Sequence, residues 1–154
     1  MRSEARANAL VLAGSAALLG GALLSQFVGG LFPCEMCYWQ RWPHLAAIAL
    51  GLLAWALGSN RALTALAAIA VLVSAAIGVF HAGVEYHWWE GLTTCTATPV
   101  TGTTSEVLGS IMATPLIRCD AAQWTLFGIS LAGYNAILSG LIGGGALWLL
   151  RKPR

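Results

Sequence analysis

Charged side chains are scarce in this sequence of 154 residues, since Asp, Glu, Lys and Arg make up 9% of it and apolar residues 58%. A soluble domain carries about a quarter charged residues, so a soluble globular protein is excluded. The formal net charge is only +2, and we expect no nucleic-acid partner. Internal repeats and low-complexity segments are also lacking, so nothing indicates a repeat architecture.

Four runs contain almost no charge, and each approaches or exceeds the roughly 20 residues that a helix needs to cross the hydrocarbon core of a bilayer. They cover residues 7–31, 42–60, 62–84 and 121–150. We therefore expect an all-α membrane protein, a four-transmembrane-helix bundle that forms one domain over residues 1–154 and is surrounded by lipid. The first run is too long for the apolar region of a signal peptide, so we expect it to be an uncleaved span.

The basic residues are divided unequally between the two ends of such a bundle. Six of the eight fall at the termini or in the middle loop: Arg2, Arg6, Arg61, Arg151, Lys152 and Arg154. The positive-inside rule makes that end cytoplasmic. The two remaining loops then face outward, and all four cysteines (Cys34, Cys37, Cys95 and Cys119) lie in or beside them, where disulfides persist.

The first outward loop carries a Cys-x-x-Cys pair, Cys34 and Cys37, between two apolar runs. Such a pair can close a small disulfide, and a helix N-terminus favours one thiolate. The second span is long enough only if its helix begins near Tyr38, which places Arg41 at headgroup level on the same face as Cys37. An ionisable residue at that depth indicates a functional site, although an arginine can also extend to lipid phosphates.

The second outward loop holds Cys95 and Cys119 and is long for so small a bundle. A capping-box pattern begins at Thr103 and an apolar face continues to Pro115, which predicts a short interfacial helix. His81 and Glu85 form an i, i+4 pair where the third span reaches this loop. Gly140 and Gly144 have GxxxG spacing in the fourth span, which predicts close helix packing.

Three interpretations compete for the cysteines. A zinc site favours two closely spaced ligand pairs, and Cys95 with Cys119 does not form one. A disulfide between Cys95 and Cys119 can simply staple the loop, which would suit a non-catalytic membrane protein. A bond between Cys34 and Cys37 is a poor staple, because so small a loop removes little chain entropy. Thiol-disulfide exchange accounts for both pairs.

Three segments resemble the disulfide bond formation protein B (DsbB) family of membrane thiol oxidases. They are FPCEMCYWQR at 32–41, FHAGVEYHWWEGLTTC at 80–95 and RCDAAQWTLFGISLAGYN at 118–135. The resemblance implies four transmembrane helices in the bacterial inner membrane, with cytoplasmic termini and two periplasmic loops. It also implies that a periplasmic DsbA-like thioredoxin-fold dithiol oxidase is reoxidised and that the electrons pass to quinone, either ubiquinone or menaquinone.

The same resemblance implies a role for each site residue. Cys95 takes the mixed disulfide with the partner, Cys119 is its loop mate and exchanges with Cys34, and Cys37 is the thiolate that meets the quinone. Arg41 matches the family arginine that supports quinone binding, and His81 is similar to a family histidine near the quinone. A packing histidine beside Glu85 is an equal alternative for His81, and either residue is a hypothetical base for the protons released by thiol oxidation.

One departure from the family is Gln40, where some relatives carry an acid beside the arginine, and it affects what Arg41 can pair with. A vitamin K epoxide reductase-like enzyme is the alternative among enzymes, because it also combines a membrane Cys-x-x-Cys with loop cysteines. In that family the Cys-x-x-Cys follows the loop pair, whereas here it comes first.

Overall fold

The computed structural model describes residues 2–92, 103, 105, 108 and 117–151. Four long helices and a two-stranded hairpin account for nearly all of the regular structure in these residues. In chain order they are α1 (Arg2–Phe27), α2 (Glu35–Ala56), α3 (Arg61–Glu85), β1 (Thr125–Leu126), β2 (Ile129–Ser130) and α4 (Leu131–Arg151). The chain is therefore mostly helical, as predicted.

Each helix packs against the next one along the chain, and α1 also packs against α4, which closes a four-helix bundle. The end of the bundle that holds the N-terminus of α1 has a core of small and medium apolar residues: Ala7, Val11, Ala47, Ala67, Ala68, Val71, Ala146 and Leu150. At the opposite end the core contains Cys34, Met36, Val84 and Cys119. The three cysteines that the structure describes, Cys34, Cys37 and Cys119, thus lie at one end of the bundle.

Three helices of the described residues are long and apolar enough to cross a membrane: Ser3–Phe27, Arg61–Glu85 and Leu131–Arg151. The predicted second span, α2, does not qualify. Its first half contains Gln40, Arg41 and His44, whose polar side chains lower the mean hydropathy. Gln40 and His44 are nevertheless buried inside the bundle.

The second helix begins earlier than the predicted start near Tyr38. Cys34 is its N-cap, with the Sγ atom accepting a hydrogen bond from the Cys37 backbone N–H at 3.4 Å, and Glu35 is the first helical residue. An N-cap acceptor satisfies one of the backbone N–H groups left free at a helix start. The Cys-x-x-Cys pair therefore forms the first turn of α2.

The predicted helix start near Gln123 is wrong, because a hairpin precedes α4. Thr125 pairs with Ser130 and Leu126 with Ile129. The turn residues Phe127 and Gly128 have φ values of 51° and 76°, the positive values that a two-residue type I′ turn requires. Apolar composition alone does not distinguish such a hairpin from the first turns of a membrane helix.

The GxxxG prediction is also wrong in its residues. A Cβ atom added at Gly140 or Gly144 would meet nothing within 4 Å, so neither glycine brings helices together. Gly143 does so, because a Cβ atom there would lie 2.7 Å from Leu72 Cγ and 2.9 Å from the Ala68 carbonyl oxygen. Spacing identifies a possible face of a helix but not the direction in which the face points.

Two predictions concern residues outside those the structure describes. Cys95 is one, and most of the predicted interfacial helix between Thr103 and Pro115 is the other. Both stay predictions.

Candidate functional site

The Cys-x-x-Cys pair lies where α2 meets the core at its N-terminal end. The Cys34 and Cys37 Sγ atoms are 3.0 Å apart, about 1 Å more than a disulfide bond. Cys34 is buried and Cys37 is partly exposed. A small movement of either side chain therefore brings the two sulfurs to bonding distance, so that removal of two electrons and two protons can close a disulfide at this position.

The two sulfurs are electrostatically unequal. The hydrogen bond with Cys37 and then burial raise the pKa of Cys34 from 9.0 to about 12, while a contact with His81 opposes the shift. A sulfur that keeps its proton is the donor in the contact, and its partner is the acceptor. In the reduced pair, Cys34 is thus the thiol and Cys37 the sulfur that carries the developing negative charge.

His81 contacts this pair from α3. Its ring is 2% exposed, with Nε2 lying 3.5 Å from Cys34 Sγ and 3.7 Å from Glu85 Oε1. The predicted i, i+4 proximity of His81 and Glu85 is confirmed. An imidazole nitrogen and a carboxylate therefore lie beside the thiol that has a proton to lose.

Cys119 is brought to the same place from the other end of the second loop. It is buried in one cluster with Cys34, and its backbone hydrogen-bonds to His81. The neighbouring Arg118 and Asp120 side chains form a two-point ion pair at 2.8 and 2.6 Å. The Arg118 guanidinium lowers the pKa of Asp120 to about 2. The Asp120 carboxylate therefore stays ionised next to Cys119.

Arg41 lies one turn after Cys37, as predicted. Its guanidinium donates to Gln26 Oε1 at 2.6 Å and to the Ala22 carbonyl oxygen at 3.3 Å, both on α1, and it lies 5.3 Å from the centre of the Tyr38 ring. These partners are neutral, so they orient the cation without neutralising it. Gln40 points instead toward the Met36 carbonyl oxygen and His81, because successive helical residues face different directions.

Two cavities meet at Cys37 and Arg41. A small one of about 60 Å³ is lined by Cys34, His81 and Glu85, and a larger one of about 400 Å³ extends between α1, α2 and α4. Cys37 and Arg41 line both cavities. The larger volume is within the range of small-molecule sites, which are mostly apolar with a few polar groups.

Sequence reasoning missed a buried hydrogen-bond network that continues inward from His81. Gln40 Nε2 lies 2.7 Å from His81 Nδ1, Asn135 Nδ2 donates to Gln40 Oε1 at 2.8 Å, and His44 Nε2 lies 3.0 Å from Asn135 Oδ1. Ser74 and Ser139 complete it. The available signal was the presence of amide and imidazole side chains inside apolar runs, where polar residues are costly.

The ligand-type atoms of Cys34, Cys37 and His81 lie within 4.8 Å of one another, a set that can hold a metal ion. Two thiolates on one tetrahedral zinc ion lie about 3.8 Å apart, as the Zn–S bond length of about 2.3 Å requires. The observed 3.0 Å is shorter. The geometry thus favours sulfur-sulfur exchange over zinc binding.

Comparison with known proteins agrees with this chemistry. The sequence model of the family described as Disulfide bond formation protein DsbB matches residues 4–149. Disulfide bond formation protein B of Polaromonas naphthalenivorans (strain CJ2) is 31% identical over 161 residues, which cover 96% of this chain and 91% of that protein. Uncharacterized protein RP370 of Rickettsia prowazekii (strain Madrid E) is 23% identical over 136 residues, or 86% of this chain and 79% of that protein. No solved structure matches the chain.

Proposed function

Because the chain belongs to the DsbB family of disulfide bond formation proteins, we propose that it is a membrane thiol oxidase that reoxidises a periplasmic DsbA-like dithiol oxidase and passes the electrons to quinone. The observation that carries the proposal is the position of Cys37. Its sulfur lies 3.0 Å from Cys34 Sγ and lines the large apolar cavity together with Arg41. One residue thus connects a dithiol with a compartment suited to an apolar electron acceptor.

The proposed sequence of exchanges conserves two electrons and two protons. The partner's dithiol reduces a Cys95–Cys119 disulfide and becomes a disulfide itself. Cys119 then attacks Cys34 in a Cys34–Cys37 disulfide, and Cys95 displaces Cys34 from the resulting mixed disulfide. His81 accepts from Gln40 at Nδ1, so its Nε2–H group faces Cys34 Sγ at 3.5 Å. Glu85, whose Oε1 lies 3.7 Å from the same nitrogen, is then the proposed acceptor of the thiol proton, and Cys37 is left as the sulfur that donates electrons into the cavity.

The residues of the large cavity fit a quinone. Leu18, Leu19 and Leu138 supply apolar wall, and Arg41 supplies a cation whose position is fixed by Gln26 and Ala22. When bound there, quinone supplies a two-electron acceptor that takes up two protons on reduction. Arg41 would bind a quinone oxygen and favour the negative charge that reaches it. His81 would act on the Cys34 thiol, which it contacts.

The proposed setting is the bacterial inner membrane, with both termini cytoplasmic and the cysteines periplasmic. The short link between α2 and α3 and the polar partners of Gln40 and His44 support α2 as a fourth span. An imidazole and an amide that bind one another inside the bundle cost less in lipid than their hydropathy indicates. The chain would then cross the membrane four times.

The test is loss of quinone absorbance when the purified protein in detergent receives a reduced DsbA-like oxidase and either ubiquinone-1 or menadione. We expect turnover in the wild type, none in Cys37→Ser, and a KM for quinone raised about tenfold in Arg41→Ala, since hydrogen bonds from a charged group contribute about 1.5–3 kcal/mol. His81→Ala and Glu85→Ala should each slow the thiol step. An unchanged rate would reject Glu85 as the base, or His81 as the group between Glu85 and Cys34.

Absence of turnover with both quinones would contradict the proposal. It would leave the non-catalytic alternative, in which Cys95 and Cys119 only staple the loop and stay oxidised when the reduced partner is added. Alkylation of free thiols before and after that addition distinguishes the two cases. If the partner reduces the disulfide between Cys95 and Cys119 but no quinone is reduced, only the proposed quinone site in the cavity is contradicted.

A further inference from the structure

His44 lies in the large cavity but has no part in the exchanges described above. Its side chain is 3% exposed and lines the cavity that Cys37 and Arg41 also line. Within the described part of the chain, its Nδ1 atom has no hydrogen-bond partner. A buried polar atom without a partner is costly, so a group that binds in the cavity is the natural partner for this nitrogen.

The orientation of Asn135 determines which His44 nitrogen carries the proton. Asn135 Nδ2 donates to the Ser74 carbonyl oxygen at 3.3 Å and to Gln40 Oε1 at 2.8 Å. A carbonyl oxygen can only accept, so the amide nitrogen must face Ser74. Asn135 Oδ1 therefore faces His44 Nε2 at 3.0 Å, and Nε2 has to donate.

Gln40 fixes the same pattern independently. Its Nε2 atom lies 3.3 Å from the Met36 carbonyl oxygen and 2.7 Å from His81 Nδ1, so this end of the amide donates. The other end, Oε1, must then accept from Asn135, which agrees with the orientation that Ser74 requires. Two backbone carbonyls thus fix both amides in one consistent direction.

A neutral imidazole has one N–H group. With that proton on Nε2, Nδ1 keeps a lone pair without a partner in a ring that lines the cavity. A lone pair needs a donor, and the two forms of the proposed ligand differ in this respect. The oxygens of a quinone only accept hydrogen bonds, whereas each hydroxyl of a quinol donates one.

We propose that His44 Nδ1 accepts a hydrogen bond from a hydroxyl of the quinol, so that the cavity binds the reduced ligand more tightly than the oxidised one. The inference rests on the proposed quinone site and names the ligand form that the site prefers. Preferential binding of the product raises the reduction potential of the bound couple, by about 30 mV for a tenfold preference in a two-electron reaction. His44 would thereby help to draw electrons from Cys37.

The test compares two substitutions that keep different halves of the imidazole. In His44→Gln the amide takes the place of Nε2 and can still bind Asn135, but nothing replaces Nδ1. In His44→Asn an amide oxygen takes the place of Nδ1. The dissociation constants of ubiquinol-1 and ubiquinone-1 are measured without oxygen in wild type and both variants, by quenching of tryptophan fluorescence, since Trp124 lines the cavity.

We expect His44→Gln to weaken ubiquinol-1 binding about 3- to 10-fold, the effect of one neutral hydrogen bond, with little change for ubiquinone-1. His44→Asn should keep the preference for the quinol. Equal losses for both ligands in His44→Gln, or no loss, would overturn the inference and leave the quinone site intact. Failure of wild type to bind either ligand would overturn the proposed function as well.

A second measurement needs no change at His44 and is decisive if its variants do not fold. The chain has three histidines, so nitrogen NMR of histidine-labelled protein resolves each ring after assignment with His81→Gln and His87→Gln. We expect His44 Nδ1 to be unprotonated in the free protein and to shift when ubiquinol-1 is added but not when ubiquinone-1 is. A protonated Nδ1, or equal shifts with both ligands, would overturn the inference.

Discussion

The reduced Cys34 thiol should react with alkylating agents far more slowly than an ordinary cysteine and should continue to respond to pH at unusually high values. The reason is its pKa of about 12, which the Cys37 sulfur and burial raise from 9.0. Only the thiolate is nucleophilic. The experiment is therefore a pH series on the reduced protein, because pH changes the fraction of Cys34 that is thiolate.

The size of the effect follows from the two pKa values. At pH 8 the thiolate fraction is about 10⁻⁴ for a pKa of 12 and about 0.1 for a pKa of 9, a difference of about 1,000-fold. A more basic thiolate is intrinsically more nucleophilic, by about 16- to 32-fold for three pKa units. The net expectation is a reaction about 30- to 60-fold slower than that of an ordinary thiol, before any loss from limited access.

The assay uses the Cys95→Ser/Cys119→Ser variant in detergent, reduced by a phosphine and treated with iodoacetamide between pH 7 and 10.5. Tandem mass spectrometry of the peptide that contains both cysteines gives the initial rate at Cys34 in molecules whose Cys37 is still unmodified, because alkylation of Cys37 removes the largest cause of the shift. We expect the alkylation rate of Cys34 to rise about tenfold per pH unit without a plateau. Limited access of the reagent to the buried sulfur lowers the rate at every pH but does not change this slope. In Cys37→Ala, which removes the largest cause of the shift, a plateau should enter this range. A plateau near pH 9 in the protein that keeps Cys37 would refute the assignment of Cys34 as the proton-holding sulfur.

Two further substitutions test the packing and the buried network. Gly143→Ala should lower the free energy of unfolding in detergent by about 1–3 kcal/mol, because the added Cβ atom meets Leu72 and the Ala68 carbonyl. The matched Gly140→Ala, with open space around its Cβ atom, should be neutral or stabilising by up to about 1 kcal/mol, and equal effects would contradict the packing described. Gln40→Leu should lower the same free energy by about 1–3 kcal/mol, since it leaves the buried Nδ1 atom of His81 without its partner. Unchanged thermal unfolding of Gln40→Leu would show that the network contributes nothing to stability.

Features that depend on neighbouring residues along the chain could be predicted from the sequence. The helical spacing of Cys37 and Arg41 and the i, i+4 relation of His81 and Glu85 are of this kind, because one helix fixes both members of each pair. The break after α1 is another, since Gly30 has a φ of +67° that glycine adopts without cost. Local geometry carries this information without knowledge of the fold.

Features that depend on which helices face one another could not be predicted. Gln40 and His81 are 41 residues apart, and nothing local indicates that they touch. Gly143 and Gly140 differ only in the direction they face, which the contact with Leu72 settles. The hairpin before α4 depends on Tyr86, whose hydroxyl donates to the Gly128 carbonyl and accepts from the Ser130 N–H, and this residue lies on the other side of the loop.

The low hydropathy of α2 and the location of the site have one cause. Gln40, Arg41 and His44 make its first half polar, and the same side chains bind His81, line the cavity and meet Asn135. In lipid each of them would be costly alone, but the bundle gives Gln40 and His44 polar partners and gives Arg41 neutral ones. A polar turn within an otherwise apolar bundle therefore persists only where other helices supply matching groups. The helix that a hydropathy criterion rejects is thus the helix on which a redox site should be sought.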